Sequence, residues 1–210
     1  MIIIFNLIRI IGILLFLYVF WKNLKDDYPS NDVIWLGWLI VAMFYFGSRL
    51  VFFGNFDKDL ILFWSKPGLS YLGGYICVLI TIALYVKRKS WKLILILEDG
   101  VKPFLLFLFF NYLEELIRSK WVGELVAKVL IVLLGYYFAG LLKDKYRSFV
   151  WFKSGKKGFV FWSISAIVLG LFMINSLIFG NVLFLTYIYG LSSLISVAGL
   201  FILGDVWKKK

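Results

Sequence analysis

Seven long apolar runs, separated by short charged or glycine-bearing breaks, dominate the 210-residue sequence. A helix needs about 20 mostly apolar residues to cross the hydrocarbon core of a bilayer. We predict membrane-spanning helices near residues 2–21, 33–53, 69–86, 93–113, 121–142, 158–180 and 183–204. The sequence shows no internal repeat or low-complexity tract, so the chain is predicted to form one polytopic membrane domain over residues 1–210.

The composition indicates the same fold class, an all-α integral membrane protein built as a bundle of seven transmembrane helices. Hydrophobic residues make up 62% of the chain and aromatic residues 20%. A soluble domain of this size could not keep its surface polar with that balance. The first run has neither a basic leading segment nor a small-residue cleavage site, so we interpret it as a span and not as a cleaved signal.

The basic residues predict the orientation of the helices. Cytoplasmic loops of membrane proteins carry an excess of lysine and arginine. If the N-terminus lies outside the cell, 15 of the 23 basic residues fall on the cytoplasmic side, four fall outside and four lie within spans. The sequence therefore predicts a cytoplasmic C-terminus. Because topology accounts for the formal charge of +11, we expect no nucleic-acid partner.

The absence of histidine excludes several kinds of catalytic and metal site. A chain without histidine has no histidine base, no histidine-bound metal and no Ser-His-Asp triad. Cys77 is the single cysteine, so no intramolecular disulfide or cysteine-bound metal cluster can form. No Walker loop, dinucleotide fingerprint or H-E-x-x-H motif is present. We expect neither a metal nor a cofactor.

Ionisable residues inside the predicted spans are the clearest indication of function. Placing one at membrane depth costs at least about 2.5–3.5 kcal/mol, so each is expected to have a partner or a polar cavity. Arg49 either extends its guanidinium to the membrane interface or faces an inner cavity and binds a lipid phosphate through paired hydrogen bonds. Glu124 and Lys128 are four residues apart and can pair on one helix face.

Two further charged clusters lie near the ends of the fourth predicted span. Glu98 and Asp99 are close in sequence to Lys92 and Lys102, and we expect local salt bridges among them. The second cluster follows the span and contains Glu114, Glu115, Arg118 and Lys120. Both are interpreted as charged groups at the membrane interface.

The segment "PGLSYLGGYICVLITIALYVKRK", residues 67–89, places glycines at the start of a predicted span and basic residues at its end. Glycine weakens a helix, so its repeated use here needs a reason. Two explanations stay open. The glycines allow close approach of a neighbouring helix to the backbone, or they allow close approach of a ligand.

This segment resembles the signature of the prolipoprotein diacylglyceryl transferases, G-G-(L/M)-S-(F/Y)-H-G-G-x-(I/L)-G. The matching residues are Gly68, Leu69, Ser70, Tyr71, Gly73 and Gly74. "FGSRLVFFGNF" is similar to the family's G-x-R-(L/I)-x-Y-V-x-F-Y, with Gly47 and Arg49 in register. Asn111 matches the asparagine of G-R-I-G-N-F-x-N-G-E, and Glu124 is the one residue shared with P-x-Q-L-Y-E. The resemblance covers essentially the whole chain.

The resemblance implies a fold and a reaction. The family has seven membrane helices with the N-terminus outside. It transfers the diacylglyceryl group of phosphatidylglycerol to the lipobox cysteine of a prolipoprotein in the bacterial plasma membrane. Implied partners are phosphatidylglycerol or a similar anionic phospholipid, and a lipobox-bearing prolipoprotein. By the same resemblance, the residues that bind the phospholipid are Arg49, Ser70, Gly73, Gly74 and Asn111, and Glu124 is the remaining candidate for the catalytic base.

Four polar positions of the family are apolar in this chain. Leu72 replaces the signature histidine, Leu108 replaces the arginine of G-R-I-G-N, and Met173 and Phe5 stand near a late arginine and an N-terminal tyrosine. Three functions stay open. The chain is a divergent, weakly active transferase that uses Glu124, or a non-catalytic protein that binds phospholipid or prolipoprotein, or a transporter. Short loops and the lack of an internal repeat count against the transporter.

Overall fold

The computed structural model describes residues 2–52, 71–119, 122–146, 156–179 and 183–204. These ranges are helical apart from short turns and caps, which confirms the all-α fold class. The helices are α1 (Ile2–Leu24), α2 (Ser30–Phe52), α3 (Tyr71–Lys89), α4 (Leu93–Arg118), α5 (Gly123–Lys145), α6 (Phe159–Ile178) and α7 (Leu183–Leu203). Each overlaps one predicted span.

Five of these helices are long and apolar enough to cross a membrane: α1, α2, α5, α6 and α7. The described part of the chain is therefore that of a multi-pass membrane protein. The 26 residues of α4 would suffice by length. Charged residues lie near both ends of α4, and only residues 103–113 between them are free of charge.

The helices form two compact units. Unit 1 comprises residues 1–19 and 97–210, and unit 2 comprises residues 20–96. The boundary falls within α1 and within α4, so both helices contribute to each unit. That the whole chain forms one domain stays a prediction.

Among the described helices of unit 1, α1 packs against α4, α6 against α7 and α5 against α6, each pair antiparallel. In the first, α1 lies along α4, where the rings of Phe16 and Phe107 are 5.6 Å apart between centroids. In the second, α6 lies along α7, and the Ser193 hydroxyl donates to the carbonyl oxygen of Ala166 at 2.9 Å. Such small polar residues let membrane helices approach closely.

Unit 2 is organised around the antiparallel pair α2 and α3. At one end, the Lys89 ammonium donates to both carboxylate oxygens of Asp32 at 2.8 and 2.9 Å. These hydrogen bonds raise the pKa of Lys89 above its ordinary value. The Tyr85 hydroxyl donates to the backbone carbonyl of Asp32 at 3.1 Å. At the other end of the pair, Gly47 meets Gly73.

Candidate functional site

Gly73 and Gly74 of the signature-like segment lie where α3 crosses α2. A Cβ atom added to Gly47 would lie 2.6 Å from the carbonyl oxygen of Gly73 and 2.5 Å from the sulfur of Cys77. A Cβ added to Gly74 would lie 2.8 Å from the carbonyl oxygen of Phe44. Of the two explanations, the neighbouring helix therefore accounts for Gly74 of the segment, and the same crossing accounts for Gly47 of α2. Cys77 has a packing role at the same crossing.

The end of α2 holds Arg49, a further residue expected to bind lipid. Arg49 is half-buried in its last turn. The preceding residue, Ser48, is fully buried, and its hydroxyl has no hydrogen-bond partner among the described residues. Ser70 lies outside the described residues. Phosphate binding by Arg49 and head-group binding by Ser70 stay predictions.

A second set of polar side chains lies inside unit 1, at the end where α1 begins and α4 ends. Ring contacts bring α4, α6 and α7 together there, since Tyr112 lies 5.9 Å from Phe172 and Phe172 lies 5.8 Å from Tyr189, between centroids. A Cβ on Gly123, at the start of α5, would lie 3.5 Å from the ring of Phe179. We call this set the polar layer; it consists of Arg9, Asn111, Tyr112, Glu114, Glu124, Lys128, Asn175 and Tyr189.

One contact of the polar layer is an ion pair between α1 and α4. An Nη atom of Arg9 lies 2.6 Å from Glu114, whose side chain is only 3% exposed. The Nε atom of Arg118 approaches the other carboxylate oxygen at 3.8 Å. The Nε atom of Arg9 is buried and has no hydrogen-bond partner among the described residues. One buried carboxylate thus interacts with two arginines.

Glu124 and Lys128 form the ion pair that their spacing predicts, so that prediction is confirmed. Both side chains are about one-fifth exposed, at 22% and 23%. Glu124 is also close enough to Tyr112 and Tyr189 to interact with both electrostatically. The candidate base is therefore held by an ammonium group inside the polar layer.

Asn111 is fully buried in α4, and its amide nitrogen donates to the carbonyl oxygen of Phe107 at 2.8 Å, one turn earlier. Asn175 in α6 differs from it. Asn175 is 4% exposed, and neither its amide nitrogen nor its amide oxygen has a hydrogen-bond partner among the described residues. The two asparagines are thus buried in the same unit with opposite hydrogen-bonding states.

The charged residues near the start of α4 contact other helices. Asp99 accepts a hydrogen bond from Lys143 of α5 at 2.8 Å. The Glu98 carboxylate accepts one from the backbone N–H of Phe161 at 3.2 Å, which satisfies a free donor in the first turn of α6. The Lys102 ammonium lies 4.9 Å from the ring centroid of Tyr136. These contacts join α4 to α5 and α6, where the sequence predicted local salt bridges.

Of the four positions that depart from the family's motifs, the side chain of Leu72 lies outside the described part of the structure, and the other three lie in described helices. Leu108 is buried in α4. The sulfur of Met173 would lie 2.8 Å from a Cβ on Gly190, so Met173 packs where α6 meets α7. Phe5 is half-buried in α1. No group of three or more histidine, cysteine or acidic residues that could hold a metal occurs in the described ranges.

Comparison of the chain with family models, with curated proteins and with solved structures gives no match. The family resemblance rests on the sequence motifs alone and stays a prediction.

Neither the Arg9–Glu114 pair nor the unpartnered Asn175 was among the site residues predicted from the sequence. The pair joins residues 105 positions apart, and nothing in the sequence indicates which acidic residue faces Arg9. Asn175 did carry a signal, because an asparagine within the apolar run "LFMINSLIF" is costly in a membrane helix unless its amide is satisfied.

Proposed function

We propose that this chain is a divergent member of the prolipoprotein diacylglyceryl transferase family that has lost transfer activity or retains little of it. It lies in the bacterial plasma membrane with seven spans, an outside N-terminus and a cytoplasmic C-terminus. Its remaining role is to bind phosphatidylglycerol or a similar anionic phospholipid, and a lipobox-bearing prolipoprotein. The signature-like motifs support the family, and the five apolar helices support the membrane location.

The observation that best supports a loss of catalysis is the ion pair that Glu124 forms with Lys128. The reaction needs a base that takes the proton of the lipobox thiol, because the thiolate is the nucleophile. Glu124 is the candidate left in a chain without histidine, and its carboxylate is paired with the Lys128 ammonium. A carboxylate stabilised in its charged form by an ammonium group is a poor proton acceptor.

The apolar residues at the family's cationic positions also support a loss of transfer activity. The leaving glycerol phosphate carries negative charge, which cationic groups stabilise in the transition state. Leu108 and Met173 lie at or near two arginine positions of the family and cannot do this. A positioned base contributes about 10²–10⁴-fold to a rate, and one charge-stabilising group about 10²–10³-fold. Their combined loss would lower transfer by several orders of magnitude.

A transfer assay with two variants tests this role of Glu124. Purified protein is incubated with phosphatidylglycerol and a lipobox peptide, and lipidated peptide is measured by mass spectrometry. We expect transfer near the peptide-only background in the wild type and in Glu124→Gln, and at most a small rise in Lys128→Leu, which frees Glu124 from its ammonium partner but restores neither missing arginine. Transfer by the wild type that Glu124→Gln abolishes would show that Glu124 still acts as a base.

Phospholipid binding is tested at Arg49. We expect Arg49→Leu to reduce the phosphatidylglycerol that remains bound through purification in mild detergent, because a guanidinium binds phosphate through paired hydrogen bonds. The matched control is Arg88→Leu, which removes an exposed arginine at the end of α3. Equal phosphatidylglycerol content in the two variants would mean that Arg49 only extends to the membrane interface.

A further inference from the structure

The unpartnered amide of Asn175 is the least explained polar group in the described interior of unit 1. Its nitrogen and its oxygen are both buried without a hydrogen-bond partner among the described residues. Leaving a buried polar group without a partner is unfavourable, and membrane interiors offer no bulk water to replace the bond. Buried polar groups in native proteins nearly always have a partner, so the missing one calls for an explanation.

Contacts along α6 fix the direction in which Asn175 faces. Phe172, three residues earlier, contacts Tyr112 of α4. Phe179, four residues later, lies against Gly123 at the start of α5. Residues three and four apart share a helix face. Asn175 therefore faces α4 and α5, inside the polar layer.

The charges around Asn175 favour an uncharged ligand. Among the described residues in and beside the polar layer, three side chains are cationic and three are acidic: Arg9, Arg118 and Lys128, and Glu114, Glu115 and Glu124. Glu114 interacts with both arginines, and Glu124 with the lysine. No surplus of positive charge remains among these residues, so a bound phosphate would have to displace a carboxylate from its partner.

We propose that Asn175 binds an uncharged molecule through a hydroxyl group, which donates to the amide oxygen and accepts from the amide nitrogen. The aromatic side chains of Tyr112, Phe172 and Tyr189 provide the apolar surroundings of the site. Ile178, three residues after Asn175 on the same helix face, is 70% exposed, so the acyl chains of a lipid can lie beside the site. This ligand is separate from the anionic phospholipid proposed for Arg49.

The test is thermal unfolding of the full chain in nanodiscs of dioleoylphosphatidylcholine. Four samples are compared: no addition, dioleoylglycerol in the bilayer, dioleoylphosphatidylglycerol in the bilayer, and free glycerol in the buffer. We expect dioleoylglycerol to raise Tm by about 2–4 °C, the shift that about 1 kcal/mol of stabilisation gives a chain of this size. The rise should vanish in Asn175→Leu and in the smaller Asn175→Ala.

Two controls separate loss of a ligand from loss of structure. Because the described structure gives the Asn175 amide no partner, Asn175→Leu is expected to unfold at or above the wild-type temperature in the absence of added lipid. Ser196→Ala removes a buried hydroxyl of α7 that already bonds to the carbonyl oxygen of Ser192 at 2.9 Å, and it should keep the full response to dioleoylglycerol.

Three results bear on the proposal. A rise with free glycerol that Asn175→Leu abolishes would support the hydroxyl site and assign it to a soluble polyol. If no addition raises Tm, ordered water alone satisfies the hydrogen bonds of the Asn175 amide. That result would overturn the proposal. A larger rise with dioleoylphosphatidylglycerol than with dioleoylglycerol, lost in Asn175→Leu, would also overturn it, because the ligand would be an anion.

Discussion

Arg9 and Glu114 show how one buried contact can fix the position of a helix. The Glu114 side chain is 3% exposed and that of Arg9 is 25% exposed, so the pair is mostly removed from solvent. Two further contacts follow along the same helices, with Gly12 against Phe110 and Phe16 against Phe107. The ion pair sets the register of α1 on α4, and the apolar contacts further along the two helices are consistent with the same register.

Removing one member of this ion pair should lower the free energy of unfolding more than removing both members. Glu114→Gln leaves Arg9 without its carboxylate, and breaking a buried ion pair in this way costs about 3–5 kcal/mol. The double variant Arg9→Leu with Glu114→Leu removes both charges and is expected to be closer in stability to the wild type. Unfolding in detergent with increasing sodium dodecyl sulfate measures the wild type, Glu114→Gln, the double variant and the two matching single variants, Arg9→Leu and Glu114→Leu. Additive losses in the double variant would show that the two residues do not interact.

At the scale of the helices, the crossing of α2 and α3 depends on the absence of side chains. A Cβ at Gly47 meets the backbone oxygen of Gly73 at 2.6 Å, which no change of rotamer can relieve. The contact is between backbones, so adding even one methyl group must move a helix.

Gly47→Ala is therefore expected to lower the free energy of unfolding by about 1–3 kcal/mol, the usual cost of overpacking a well-packed interior. Gly123→Ala is the matched control, because its Cβ would meet the ring of Phe179 at 3.5 Å, an ordinary van der Waals distance. Both variants are compared by thermal unfolding in the same detergent. Equal melting temperatures for them would contradict the close crossing.

The helices themselves could be predicted from the sequence, since each apolar run corresponds to a helix within a few residues. The Glu124–Lys128 pair could be predicted because helix geometry places residues four apart on one face. The partners of Glu98 and Asp99 could not, because Phe161 and Lys143 lie on other helices. The need for a glycine at position 47 could not be predicted either, because it depends on which helix crosses α2. Sequence periodicity carries no information about either.

At the scale of the whole molecule, the proposed topology follows from the distribution of lysine and arginine. Reporter fusions after Lys25, Lys92, Lys157 and Lys210 should report the cytoplasm. Fusions after Lys58, Lys120 and Asn181 should report the outside. Two or more inverted reporters among the seven would contradict seven spans with the N-terminus outside.

The central claim, a lipid-binding membrane protein with little or no transfer activity, is tested most directly by one double measurement. The purified chain is given phosphatidylglycerol labelled in its diacylglyceryl group together with a lipobox peptide, beside a family member that retains the histidine and arginines. We predict that labelled lipid stays bound to this chain. We also predict that the peptide gains label at a rate several orders of magnitude below that of the family member, because the missing base and cationic groups together account for a loss of that size. Transfer within about tenfold of the relative, less than even one such group contributes, would contradict the account.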